Sequence, residues 1–502
     1  MSSNHYSRIV GLVVTTVILA AWGAYSPAAA DWGENWTATY NWQGASQDTA
    51  FAIAIGPDGN AVVTGPSYFL EVNGYYFSWR NARFTTAKYD AAGQLLWVAQ
   101  YHYDNEGNHM PEAQVMDAEG NVVVVGGSWN GENDYDFATV KYNPDGEQLW
   151  AARWAGPAYD DVPHAAAIDG AGDVYVSGAS SDDVYGNNME AVTVKYDPDG
   201  NELWVQKYPD NNYYIDAGSV IAVTQAGEAY VGIPGAIILK RDTDGALLWN
   251  AQRPAEEVCA LKLDGDGNLL VGGDKSGGGA GFLAKYTAAG DLIWNREFPA
   301  VQRSGPTRGA GCGYVFDMAV DGDNNTYLTA AGDFVAKYDA DGQQVWRATD
   351  DSFAPRALFV DQAENLSAAG NFITGAVDNP LDDYLAVARY DADGNVLETA
   401  SHVSAYGSDA ADLAVDSAGR AWAAGGLCVF GVNNVPHMPP CWTWDFLIVQ
   451  LGDSASPDDD LVPDDDAAPD DDATADDDAA DDDAQNSPAP DNGSSSVTGC
   501  GC

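Results

Sequence analysis

The sequence predicts an all-β fold in which eight four-stranded units close into a ring, and three observations carry the prediction. An alternating strand, a tight Gly turn and a second strand ending in Gly recur along the 502 residues. A hairpin with Trp on its return strand recurs between these strings, and the last hairpin lacks a return strand that the N-terminal region can supply. Self-similarity at a period of tens of residues marks a repeat architecture before any single motif is weighed. Together the three describe an eight-bladed β-propeller with its N-terminal strand closing the last blade.

The first string is clearest from Ala165 to Gly178, and its relatives begin near Ala52, Ala113, Val220, Cys259, Phe316, Ala357 and Ala411. The second is clearest from Val192 to Trp204, with relatives ending at Trp97, Trp150, Trp249, Trp294 and Trp346. A seventh runs from Leu385 to Leu397, with Glu398 in place of Trp. The eighth, Phe446 to Leu451, stops short, and Trp36 to Tyr40 has the character of its missing strand. A ring must close, and pairing first with last strand closes it and removes exposed sheet edges. Residues 31–452 shared among eight units give about 53 residues each.

Turn chemistry assigns the faces. Asp58-Gly59-Asn60, Asp145-Gly146 and Asp199-Gly200 supply the positive φ of tight hairpins. Longer connections are expected at 66–82, 101–112, 128–135, 154–164, 179–190, 208–218, 298–315, 371–383 and 426–444. With strands a to d running outward from the axis, the tight turns share one face and the long loops the other. Function is expected on the loop face, around the channel mouth. The Ala-rich strand suits the crowded innermost position, and the repeated Trp suits the outer strand, packed between blades.

Segments outside the ring read differently. Residues 1–30 have the form of an export signal: Arg8, an apolar run from Ile9 to Ala21, and Ala28-Ala29-Ala30 before Asp31. The run is shorter than the ~20 residues of a membrane span, and no cysteine at the cleavage point invites a lipid. Residues 453–502 carry Asp triplets at 458–460, 464–466, 470–472, 476–478 and 481–483, spaced by Pro and Ala. Such a segment self-repels and is expected to be a disordered stalk. It ends in Gly-Cys-Gly-Cys, making Cys500 and Cys502 candidate anchors, or an oxidised or free pair without a role.

The formal charge is -53, and the stalk accounts for 17 acids of it, leaving 58 acids against 22 bases upstream. A field of that sign repels nucleic acid and anionic lipid; it favours cations, or serves solubility alone. All six cysteines lie downstream of the signal, as suits an oxidising compartment. Cys428 and Cys441 flank one loop and are the expected disulfide, while Cys259 and Cys312 lie in adjacent units and can pair. No C-x-x-C with a matching second pair exists, so a structural zinc site is not expected.

Candidate sites follow from the loop face. Asp48, Asp161 and Asp216 stand eight residues before the same turn position in their units, and Asp409 stands seven before. A carboxylate ring there suits Ca²⁺ or a polyamine-like cation; the competing reading is that each Asp caps its own loop backbone. Asp264-Gly-Asp266-Gly-Asn268 and Asp321-Gly-Asp323-Asn-Asn325 open like calcium loops, but Lys275 and Gly332 stand at the twelfth position, so they read as hairpin turns. Aromatics cluster in the long loops: Tyr75, Tyr76 and Trp79, then Trp129, Tyr213 and Tyr214, Trp442 and Trp444. They suit stacking on sugars or anchoring a protein, against packing within their own loops. The mature histidines, His102, His109, His164, His402 and His437, have no metal spacing, and neither G-x-S-x-G nor a phosphate loop occurs.

Asp-Gly-Asn followed by Val-Val-Thr-Gly, Val-Tyr-Val-Ser-Gly in a sister unit, and a Gly leading to Asp before the Ala-rich strand (Gly44 to Asp48, Gly156 to Asp161) resemble the secreted bacterial β-propeller repeat family. The resemblance spans 31–452 and implies the fold and an extracytoplasmic binding or structural role. The Asp-x-x-Gly-x-x-Leu-Trp hairpin is also similar to repeats of pyrroloquinoline-quinone-type propellers, which are eight-bladed. Their dehydrogenase members place adjacent cysteines over the cofactor; no Cys-Cys pair occurs here, so no quinone is expected. The acidic spacer and its cysteines resemble surface-sorting tails of some Gram-negative bacteria, without the apolar helix and basic cluster that normally follow.

The expected function is a secreted or cell-surface binding scaffold, monomeric, engaging a glycan or a protein through the loop face. It has no expected cofactor beyond calcium, no nucleic-acid partner, and membrane contact only through a C-terminal anchor. The alternative is an extracytoplasmic carbohydrate-active hydrolase or lyase with carboxylates at the channel mouth; a third reading is an envelope spacer without a ligand.

Overall fold

Strands a of all eight blades converge on one axis, each touching the next until the last touches the first. They are Ala52–Ile55, His109–Met116, Asp161–Ile168, Val220–Val223, Glu256–Leu263, Val315–Val320, Phe353–Val360 and Ser408–Val415. The computed structural model describes residues 32–453 apart from 42–45, 74–75, 104–106, 132–133, 157–160, 182–188, 210–219, 234–236, 253–255, 276–279, 300–314, 331–333, 351, 362, 374–382, 405–407 and 430–442. The chain divides into two units, Met1–Ser454 and Ala455–Cys502, and the second lies outside the described residues, as does the export-signal segment.

Blades 2 to 7 are separate four-stranded antiparallel sheets. Blade 8 is completed across the chain ends: Trp32–Tyr40 runs antiparallel to Thr443–Asp453, from Trp32 opposite Asp453 to Tyr40 opposite Phe446. Pairing therefore reaches Asp453, two residues past the Leu451 expected from the hydrophobic pattern. A short strand, Ser46–Asp48, then joins blade 8 to blade 1, parallel to Trp444 on one side and antiparallel to Ser67–Phe69 on the other.

The core is the set of wedges between blades. Among the described residues there are eight hydrophobic clusters, one at each junction. Strand b is buried on both faces, which is why it reads as an unbroken run such as Val122–Val125 rather than an alternation. The Gly that ends this string has a steric origin. Strand a bulges opposite it, and a Cβ on Gly178 would lie 2.2 Å from the Val162 carbonyl oxygen.

The repeated Trp clamps each blade to the next. Its indole N–H donates to a carbonyl in the neighbour's c–d turn: Trp36 to Ala91, Trp97 to Pro144, Trp150 to Pro198, Trp204 to Thr243, Trp249 to Ala288, Trp294 to Ala340 and Trp346 to Ala392, all at 2.9–3.0 Å. The turn glycine, at positive φ, lies flat on the ring: a Cβ on Gly200 would be 2.6 Å from Trp150. Beneath six of the seven clamps a buried lysine of strand c joins the a–b turn, as in Lys141–Asp117 at 2.9 Å and Lys285–Asp264 at 2.8 Å; beneath the Trp36 clamp Gln450 takes its place. A buried ammonium needs such a partner. Several of these lysines also reach the next blade's turn, Lys88 donating to Pro144 and Lys240 to Ala288.

The eighth junction, from blade 7 to blade 8, is different for a topological reason. Strands c and d of blade 8 come from opposite chain ends, so no c–d turn exists to receive a Trp. There the repeat carries Glu398 where the others carry Trp and Arg389 where they carry Lys, and the two pair with each other at 3.1 Å. The outer edge of this seam is joined by His402 to Glu34 at 2.9 Å, with Thr37 beside them.

Two expected loops are strands instead. The connection 66–82 is a long hairpin, Ala61–Asn73 and Tyr76–Tyr89, against eight-residue strands at the same place in blades 2 and 3. Alternating Tyr68, Leu70 and Val72 extend the ladder, and a bulge with Asn81 at φ 54° lets it bend. Likewise Trp129 and Tyr135 end and begin strands, so the 128–135 loop shrinks to 130–134.

The clamp gives a paired prediction. Gly200→Ala and Gly267→Ala both force alanine into the left-handed region, at roughly 1–2 kcal/mol each, but only Gly200 faces a Trp ring. Urea unfolding should show Gly200→Ala losing clearly more stability than Gly267→Ala; equal losses would show that the ring contact contributes nothing.

Candidate functional site

The two faces of the ring differ in what they leave free. On the tight-turn face, Asp side chains cap their own hairpins. Asp264 accepts from the Asp266 and Asn268 N–H groups at 3.0 and 2.7 Å, and Asp321 accepts likewise from Asp323 and Asn325. Both calcium-like strings are therefore turns whose oxygens are occupied by the turn itself and by Lys285 or Asn325. Burial works to raise the Asp264 carboxyl, but Lys285 and Asn268 outweigh it and hold it below the ordinary carboxylate range.

The candidate carboxylate ring is placed at the loop-face ends of the a strands. Asp48 is fully buried in the bridging strand of blade 1. Asp161 opens strand a of blade 3, beside Ser180, and accepts from the Gly156 N–H. Asp409, in blade 8, accepts from the Gly426 N–H at 2.9 Å. Asp216 lies outside the described residues. Among the described residues no three His, Cys, Asp or Glu side chains are gathered so as to hold a metal ion.

Of the loop-face aromatics, Tyr75, Tyr213, Tyr214 and Trp442 lie outside the described residues. Tyr76 and Trp79 fall in the return strand of the long hairpin, and Trp444 in strand c of blade 8, opposite Gln47. Trp129 is half-buried at the crest of blade 2, edge-on to Tyr135 with centroids 5.3 Å apart, and Gly107 lies against its ring. Cys428 and Cys259 are both disulfide-bonded; the cysteines expected opposite them, Cys441 and Cys312, lie outside the described residues, as do Cys500 and Cys502.

Other groups come together that the sequence reading did not single out. Tyr103, just past strand d of blade 1, is the one aromatic side chain exposed among the described residues, at 57 %. The Arg153 guanidinium lies 3.9 Å from its ring centroid. Arg153 is itself fixed by Ser128 Oγ at 2.6 Å, the Ser128 carbonyl at 3.0 Å and Asp136 at 2.7 Å. Nearer the axis, Glu112 occupies the bulge of strand a in blade 2; its side chain reaches water, yet the surrounding protein desolvates it and pushes its carboxyl up to about 7.

Deeper along the a strands, two aspartates staple adjacent blades. Asp412 accepts from its own Leu413 N–H at 2.8 Å and from Ile53 of blade 1 at 2.9 Å, and Asp317 accepts from Met318 and from Leu358 of blade 7. They satisfy edge N–H groups that the innermost strands otherwise leave unpaired. Burial drives Asp412 up to about 7 and raises Asp317; the charges of Asp317 and Lys262 act on Asp412 in opposite directions. The repeat did hold a signal for this pair: five sister positions are Ala52, Ala113, Ala165, Ala260 and Ala357.

No family model and no curated protein matches the chain. Solved structures do. The Dos1 propeller is similar with a TM-score of 0.54 at 8 % identity, over 83 % of this chain and 95 % of that one. The C-terminal WD40 domain of Sif2 is similar with a TM-score of 0.50 at 9 % identity, over 80 % and 96 %. BamB from Moraxella catarrhalis gives 0.45 at 13 % identity, over 84 % and 97 %. At these identities the likeness is one of fold, and the class that the ring described above defines, with the first two of these structures, is the β-propeller.

Protonation should shape stability. Asp161, Asp412 and Glu112 have folded pKa values of about 6, 7 and 7, above the unfolded range, so their contribution is full below pH ~4 and is lost as pH rises through 6–7. Asp117 and Asp264 are held low, so theirs is present above pH ~4 and lost on further acidification. Thermal unfolding should peak at about pH 4–5, decline up to about pH 7 and level off above it, and Asp412→Asn should flatten that decline. An unchanged slope in the variant would remove Asp412 from this account.

Proposed function

We propose that the protein is an extracytoplasmic binding scaffold that engages a glycan or a protein through the loop face of its ring. The observation that supports this most is the difference between the faces. On the tight-turn side Trp side chains are committed to blade-to-blade clamps and Lys and turn Asp side chains to pairs and caps beneath them, whereas the loop side carries the long hairpin and the half-buried or exposed aromatics Trp129, Tyr135 and Tyr103. Five to six residues added to each hairpin strand give it roughly 17 Å of extra length. Exposed rings beside polar groups suit recognition. The export-signal pattern and the disulfide-bonded Cys259 and Cys428 support an oxidising, extracytoplasmic location. Retention at the surface through Cys500 or Cys502 belongs to the same proposal.

Glu112 favours a second reading, a carbohydrate-active hydrolase, because a carboxyl held near neutrality at the channel mouth suits a general acid. One experiment addresses both. The native chain, a variant with Leu70–Trp79 replaced by Asn-Gly, and a tight-turn control, Asp145→Lys with Asp199→Lys, are compared for binding to an envelope fraction and a glycan array. The trimmed hairpin should lose most of the binding and the control should keep it; loss in the control alone would sink the loop-face reading. Release of reducing ends by the native chain, abolished by Glu112→Gln, would replace the scaffold with the hydrolase.

A further inference from the structure

We propose that Tyr103, backed by Arg153, is the stacking platform of a carbohydrate site at the boundary of blades 1 and 2, taking a hexose unit of an uncharged glycan. The inference rests on the loop-face reading and names the ligand class and the residues within it.

Tyr103 follows the outer strand Leu95–Tyr101 of blade 1, where that strand leaves the ring on the loop face. An exposed aromatic ring on a connection ordinarily has rotamers to lose on binding. Here one ring face lies on a guanidinium 3.9 Å away, and that guanidinium makes three hydrogen bonds to Ser128 and Asp136. Ser128 Oγ is held in turn by His109 Nδ1 at 2.8 Å, and Asp136 by Asn130 at 3.2 Å. The platform is thus oriented before any ligand arrives, and 57 % of the Tyr103 side chain stays exposed.

The surroundings decide the chemical class. A protein hot spot places an aromatic anchor in an apolar, desolvated pocket. Tyr103 instead lies on Arg153, which is held by the polar network of Ser128, Asp136 and Asn130. A hexose matches such a setting: its C–H face stacks on the ring and its hydroxyls find charged partners. Of the five guanidinium N–H groups, three are committed, and two remain for those hydroxyls. An anionic sugar is disfavoured twice, because Asp136 already neutralises Arg153 at 2.7 Å and the chain carries a net charge of -53.

The full secreted chain is tested by affinity electrophoresis and calorimetry against soluble mannan, β-glucan, xylan and galactan, with polygalacturonate as the anionic comparison. A neutral polysaccharide should bind. Tyr103→Ala should weaken it by roughly tenfold or more, Tyr103→Phe should stay within about twofold, and Arg153→Lys, which keeps the charge but not the planar support, should lose severalfold at an unchanged melting temperature. Arg153 acts here as a positioning residue, and Tyr103→Phe guards against mistaking misfolding for loss of the site. Equal binding by Tyr103→Ala, binding of polygalacturonate alone, or silence of every glycan would overturn the proposal. The hairpin-trimmed variant separates the two levels. Glycan binding lost on trimming but kept in Tyr103→Ala leaves the loop-face reading standing and removes this site. Binding indifferent to both changes removes both.

Discussion

The indole-to-turn contact between neighbouring blades is the constraint on which the rest of the structure depends. Each blade alone is a four-stranded sheet with two apolar faces, and it becomes stable only when both are covered by neighbours. The hydrophobic wedges supply that burial without fixing an angle. The Trp clamp fixes it: the N–H is directional, the turn carbonyl is its single partner, and the glycine lets the ring approach closely enough for both. Seven such contacts repeated around the axis set the rotation per blade, so that the eighth blade meets the first.

Closure by two chain ends has a consequence for sequence and for function. The seam lacks a c–d turn, and there the repeat abandons both Trp and Lys for the self-contained pair Glu398–Arg389. The strands Trp32–Tyr40 and Thr443–Asp453 start and finish on the tight-turn face, the face already occupied by clamps. Among the described residues the loop face carries none of these clamps, and its described connections differ from blade to blade. The long hairpin, the Trp129–Tyr135 crest and the Tyr103–Arg153 stack all arise in those connections.

Most of the ring was legible in the sequence because its determinants are periodic. Asp-Gly turns, Ala-rich strands and the Trp position repeat, and the missing strand after Leu451 found its counterpart at Trp36 by pattern alone. The reason for Glu398 was not legible, since it depends on which turn lies across the junction. The 66–82 hairpin was read as a loop because its residues depart from the repeat while still alternating. Tyr103 and Glu112 escaped notice because nothing local distinguishes them: one owes its place to Arg153 from the next blade, the other to a bulge that faces a channel. Asp317 and Asp412 were visible only as exceptions to an Ala position, and their meaning needed the neighbour's backbone.

Hydrogen exchange on the native ring, resolved strand by strand, tests the central claim that clamps hold the ring and the seam is its exception. The account predicts that Val396–His402, the outer strand with Glu398 at the Trp position, exchanges through an opening of lower free energy than outer strands that carry a clamp, such as Trp32–Tyr40, Glu202–Pro209 and Leu292–Pro299. Exchange that is uniform around the ring, or that begins at a clamped junction while the seam stays protected, would contradict it.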